Sequence, residues 1–157
     1  MKSTGKRFEE NVRKSIPPTI FYYRFKDSSN NWNRGDNVRF TPSNICDCMM
    51  FDGRMLYLFE LKSTKGKSFP FNNIREHQID DLLDASKYKN VVCGFIIELS
   101  DLKCAYFIEI NTFKTLLDNT NRKSLSLEEM AEKGIKIDYK VLRTNCRLDI
   151  VKLLEEI

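Results

Sequence analysis

The chain has 157 residues, 41% hydrophobic and 31% charged, a balance that excludes a disordered polyelectrolyte and fits one globular domain over residues 1–157. No apolar run approaches the roughly 18 residues of a membrane helix, and the basic start Met1–Lys6 has no apolar signal-peptide centre, so a cytoplasmic protein without a membrane partner is expected. A net charge of +4, from 26 basic and 22 acidic residues, permits nucleic-acid binding without requiring it.

In chain order, Phe8, Val12 and Ile16 recur every four residues and predict a helix from Gly5 to Ile16, ended by Pro17 and Pro18. Ile20–Phe25 reads as a short aromatic strand. Asp27–Asn37, dense in Asn, Ser, Asp and Gly, reads as a mobile loop that faces DNA. Within it Trp32 is a candidate for stacking on an unpaired base and Arg34 for phosphate contact, and Arg39, just beyond it, is a further phosphate candidate.

Ile45–Phe51 and Met55–Leu61 are apolar runs on either side of Asp52-Gly53-Arg54, a hairpin signal that predicts two antiparallel strands. Lys65–Phe71 reads as a basic turn, after which Ile74, Gln78, Leu82 and Ala85 line one face of a helix. Asn90–Leu99 and Cys104–Ile110 read as strands joined near Ser100-Asp101. Thr112–Leu117 and Leu125–Ala131 read as short outer helices, and Asp149–Ile157 as a terminal one. This order predicts an α/β sandwich with a mixed sheet, not a doubly wound fold, because no Gly-rich phosphate loop follows a predicted strand.

Cys46, Cys48, Cys93, Cys104 and Cys146 form an odd set scattered through apolar stretches, as free thiols do. The one-residue gap between Cys46 and Cys48, with no second pair or nearby histidine, does not fit a zinc site.

The chemistry centres on the predicted hairpin. Asp47 falls inside its first strand, and Glu60-Leu61-Lys62 closes the second. A carboxylate in an apolar strand is costly unless a cation or donors compensate it, and here two lie on neighbouring strands. A shared cation resolves that conflict. Side chains alternate along a strand, so Glu60 and Lys62 project from one face. Hard oxygen ligands suit magnesium (Mg2+), held by Asp47, Glu60 and the Leu61 carbonyl, with Lys62 orienting or helping to deprotonate the attacking water. Lys65, Lys67 and Arg75 follow closely as candidate phosphate contacts. The spacing alone fits an ordinary surface hairpin with a Glu–Lys pair at least as well.

A longer ordered series of residues bears on that choice. It begins with Gly5, Phe8 and Glu9, resumes at Thr41-Pro42-Ser43, and continues through Asp47, Gly53, Phe59-Glu60-Leu61-Lys62 and Thr64. It then runs through Ser68-Phe69-Pro70, Asn73, His77-Gln78, Tyr106-Phe107, Arg122-Lys123-Ser124-Leu125 and Arg147-Leu148-Asp149. In this series the chain resembles the RecU family of Holliday junction resolvases, which belong to the restriction-endonuclease-like nucleases. It departs in carrying Cys46 where the family has a hydroxyl residue, and in the short segment between Ile16 and Asp47.

The resemblance implies a restriction-endonuclease-like α/β core, a central mixed β-sheet flanked by helices. It implies that Asp47 and Glu60 hold magnesium, with manganese (Mn2+) able to substitute, and that Lys62 assists the water. Glu9 becomes a further carboxylate near the metal, and Gln78 a helix residue facing the site. His77 is left open between capping, phosphate binding, packing and a direct role. The implied partners are branched DNA, chiefly four-way junctions, and a second copy in a homodimer. The implied setting is a bacterial or phage-infected bacterial cell, in a compact phage or mobile-element version with residues 26–39 as a reduced stalk. Two alternatives stay open: a less selective nuclease for flapped, nicked or single-stranded DNA, and a noncatalytic recombination DNA-binding protein.

Overall fold

Ser3 starts α1 (Thr4–Ser15) by accepting the Lys6 N–H, and Phe8 and Val12 turn the helix's apolar face onto the sheet. Full burial of each is worth roughly 1.5–3 kcal/mol. The computed structural model describes residues 3–26, 44–119 and 121–157. The predicted loop Asp27–Asn37 lies outside the described residues, as do 27–39 of the candidate stalk.

The described chain continues through β1 (Phe21–Arg24), β2 (Cys48–Phe51), β3 (Leu56–Thr64), β4 (Ser68–Pro70), α2 (Glu76–Ser86), β5 (Val91–Leu99) and β6 (Cys104–Glu109). It closes with α3 (Ile110–Asp118), β7 (Ser124–Ser126), α4 (Leu127–Lys133), β8 (Ile135–Ile137), β9 (Tyr139–Val141), β10 (Cys146–Leu148) and α5 (Ile150–Glu156). The main sheet has the order β1-β2-β3-β5-β6-β8, with β3 and β5 parallel and the other neighbours antiparallel. It is thus the central mixed sheet expected, flanked by helices. β4 with β7, and β9 with β10, form two small ribbons.

The β2–β3 hairpin is set by its turn. Gly53 sits at φ 98°, a left-handed conformation that favours glycine. The Asp52 carboxylate accepts the N–H groups of Arg54 and Met55, both at 2.8 Å, and the Tyr57 hydroxyl at 3.0 Å. These bonds fix the register Cys48↔Phe59 to Phe51↔Leu56.

Alternation along β3 divides the core. Tyr57, Phe59 and Leu61 pack with Phe8, Val12, Leu153 and Leu154 on the side of α1 and α5. Leu58 packs with Ile79, Leu82, Phe113 and Met130 on the side of α2, α3 and α4. Glu60 and Lys62, in phase with Leu58, take this second side.

Three sequence expectations change. The strand expected from Ile45 begins at Cys48, so Asp47 stands one residue ahead of β2 and not within it. The helix expected over Leu125–Ala131 is a strand and then a helix: Leu125 is buried opposite Phe69 in the β4–β7 ribbon, and α4 starts after Ser126. The expected basic turn Lys65–Phe71 accordingly contains β4. Among the described residues no helix is long and apolar enough to cross a membrane.

Candidate active site

Beyond the Cys48↔Phe59 pair the β2–β3 ladder gives way to a side chain. Asp47 Oδ2 accepts the Leu61 N–H at 2.8 Å, while the Asp47 carbonyl accepts the Phe25 N–H at 2.9 Å. The acid is therefore tied to β3 on one side and to the end of β1 on the other. The N–H and C=O of one strand residue face the same neighbour, so the Leu61 carbonyl is directed to the Asp47 side as well.

Glu60 is only 3% exposed. Its Oε1 accepts from the Gln78 amide and from Lys62 Nζ, the latter at 2.9 Å. The Gln78 Oε1 in turn accepts from Lys62 Nζ at 3.3 Å and from the Arg75 N–H at 3.1 Å. One amide in the first turn of α2 therefore orients both charged side chains of the strand, and the Arg75 N–H fixes the amide's own direction.

Burial dominates the electrostatics of the two acids. Burial, followed by the Glu60 charge, pushes the Asp47 carboxyl up to about 6, against the opposing pull of the Leu61 N–H, Lys62 and Arg24. Burial also raises Glu60, opposed by Lys62 and Gln78 and reinforced by the charge of Glu9. Both carboxylates are held above the ordinary range because burial outweighs the Lys62 ammonium paired with Glu60 and the pull of Lys62 and Arg24 on Asp47. The donors at hand are hard oxygens, which fit a magnesium-class cation that keeps waters and takes a substrate phosphate. Among the described residues no group of three or more His, Cys, Asp and Glu gathers as a metal site.

The remaining predicted residues fall at different distances from this centre. Glu9, on α1, accepts from Arg24 Nε at 2.7 Å and pairs with Arg24 Nη2 at 2.5 Å, while its charge reaches Glu60. Lys65 and Lys67 are exposed in the turn after β3, and Arg75 and His77 are exposed at the start of α2. Trp32, Arg34 and Arg39 lie outside the described residues. Arg24 was missed in the sequence. It pairs across from Cys48, binds Glu9 and lowers Asp47, and its only signal was a cation ending an otherwise aromatic strand. Cys46 and Cys48 are buried free thiols that pack into opposite cores, so they cannot converge on one metal ion.

One family model matches most of the chain. The family model "Recombination protein U" (RecU) matches residues 37–156. The SPbeta prophage-derived protein YotM of Bacillus subtilis is 36% identical over 141 residues, covering 87% of this chain and 65% of that protein. The Holliday junction resolvase RecU of Staphylococcus aureus is 33% identical over 104 residues, covering 63% of this chain and 48% of that protein. The chain thus matches less than two thirds of either relative's length. Among solved structures, Hjc of Archaeoglobus fulgidus, a Holliday junction resolvase, shares the fold with a TM-score of 0.55 at 14% identity, covering 84% of this chain and 95% of that one.

Proposed function

Because this chain belongs to the RecU family, we propose that it is a divalent-metal-dependent endodeoxyribonuclease that cuts four-way DNA junctions during recombination or repair. The observation that carries the reading is the pairing of Asp47 with Glu60, two carboxylates pushed up by burial at the end of one hairpin, with Lys62 bound to the second. Magnesium, with manganese able to substitute, would be held by Asp47, Glu60 and the Leu61 carbonyl. When bound, it would polarise the scissile phosphate and lower the pKa of water.

The protein's own groups supply the rest. Lys62, held between Glu60 and Gln78, directs its ammonium at the attacking water and the phosphoryl oxygens, where negative charge grows as the new P–O bond forms and the old one breaks. Gln78 acts as a positioning residue through these two partners. Glu9 sets the local charge and is itself balanced by Arg24. Lys65, Lys67, Arg75 and His77 contact phosphates of the same DNA, and Trp32, Arg34 and Arg39 belong to the junction-facing segment. The chain works as a single nuclease domain in a homodimer, which suits paired cuts in opposing strands.

The test offers labelled four-way junctions and matched duplexes with magnesium, manganese, calcium or a chelator. Junction cutting with the first two metals and none with chelator is expected. Duplex cutting at the same rate would reduce the protein to a less selective nuclease. Binding without cutting under every metal would make it a noncatalytic recombination protein.

A further inference from the structure

Residues from the β6 start, β8, β9 and β10 line an open groove of about 630 Å³ at one edge of the sheet. Its exposed cations are Lys103, Lys136, Lys140 and Arg147. Among the described residues none of these makes an ion pair, although two acids lie in the same groove. Both acids are committed elsewhere: Asp138 pairs with Lys152 Nζ at 2.9 Å, and Asp149 caps α5 by accepting the Lys152 N–H at 3.0 Å.

The register makes the charge harder to dismiss as solvated surface. Lys140 stands directly opposite Arg147 in the short β9–β10 ladder, where like charges oppose pairing. Lys103 is held at φ 52°, a left-handed conformation uncommon for any residue but glycine, asparagine or aspartate. A short ribbon with repelling cations gains from an anion laid across it.

Topology says which anion. Thr64 pairs with Leu99, Leu99 with Cys104, and Ala105 with Ile137, so the groove opens at the same end of the sheet as the end of β3. β5 and β6 separate β3 from β8, so the β8 wall of the groove stands three strand spacings, about 15 Å, from β3. Lys140 and Arg147 stand on the β9–β10 ribbon, whose Tyr139, Cys146 and Leu148 pack into the α1 and α5 core, opposite the side taken by Glu60 and Lys62, so a DNA arm would reach them over the end of the sheet that β3 and the groove share. We propose that the groove is a second phosphate-binding surface, which takes the backbone of the DNA arm running on from the cleavage site. The choice of DNA as the polyanion rests on the nuclease reading above.

The test is binding of the full chain to four-way junctions, with calcium replacing magnesium, across a range of salt. Lys140→Ala with Arg147→Ala should lower the slope of log affinity against log salt by about two, and junctions whose arms stop short of the groove should show no such change. The double variant should melt no earlier than the native protein, since it removes a repulsion. Lys140→Glu, which can pair with Arg147, should stay folded and also lose affinity for long arms. An unchanged slope in either folded variant would overturn the groove, as would an equal loss on short arms. If the native protein never cuts but the slope still falls, the groove stands and the nuclease reading fails.

Discussion

The Asp47 carboxylate accepts the Leu61 N–H at 2.8 Å, so the hairpin is closed beyond its last ladder pair by a side chain that also belongs to the candidate metal site. Folding and chemistry share one oxygen-bearing group. That coupling makes the site open to stability measurements as well as to assays of cutting.

Asp47→Asn keeps an oxygen for the Leu61 N–H and removes the repulsion with Glu60. The metal-free variant should melt at or above the native temperature, while junction cutting falls by more than about a hundredfold, beyond the usual loss from disturbing a group behind a metal ligand. Normal cutting by the folded variant would remove Asp47 from the site.

The raised Asp47 carboxyl gives a pH signature with a defined sign. Between its ordinary value of 3.8 and about 6, the folded protein binds more protons here than the unfolded chain does. The contribution to stability is therefore full at the acid end and declines as pH rises through that window, by on the order of 3 kcal/mol. Urea unfolding of the metal-free protein should show this decline, and Asp47→Asn should lessen it, leaving the part that the raised Glu60 contributes. Added magnesium should offset the decline above the window, because it binds the ionised pair.

Gln78→Ala removes the amide that joins Glu60 to Lys62. The expected effect is a loss of about tenfold to a hundredfold in kcat with little change in KM, since the amide orients groups that act in the transition state. A matching rise in KM alone would mean that Gln78 contributes to DNA binding instead.

Arg24→Ala leaves Glu9 without this guanidinium while its charge still bears on Glu60, and it withdraws a cation that lowers Asp47. Both site carboxyls should rise further. Cutting near neutral pH should then need more magnesium and recover as pH increases, which a metal titration at several pH values would read. A response equal to native would confine Arg24 to a structural role on α1.

Lys65→Ala with Lys67→Ala should weaken binding to every DNA shape and lower the salt slope by roughly one to two contacts, as expected for cations that meet phosphates. Unchanged affinity and slope would leave both as ordinary surface charge.

Much of the site's setting was legible because it is encoded locally. Asp52-Gly53 announced the hairpin, and period two placed Glu60 and Lys62 on one side. The link from Gln78 to Glu60 needs α2 to lie across the sheet, and no local pattern determines that packing. Arg24 was missed for the same reason, since its partners come from α1 and from the segment before β2. The β4–β7 ribbon joins residues far apart in sequence, although Ser126-x-x-Glu129 did carry a capping-box signal for where α4 begins. β8, β9 and β10 are three residues each, too short for an alternation to stand out.

β3 lies in the interior of the main sheet, with β2 on one side and β5 along all nine of its residues on the other. Amide protons there open only with large cooperative units, so those of Glu60 and Lys62 should be among the last to exchange with solvent deuterium. Glu60 is then a fixture on the least yielding strand, with Asp47 tied to it through the Leu61 N–H, while Lys65 and Lys67 stand exposed in the turn beyond. On the nuclease reading proposed above, adaptation to a branch point would come from the turns and from the DNA itself, with the scissile bond carried to a stationary centre.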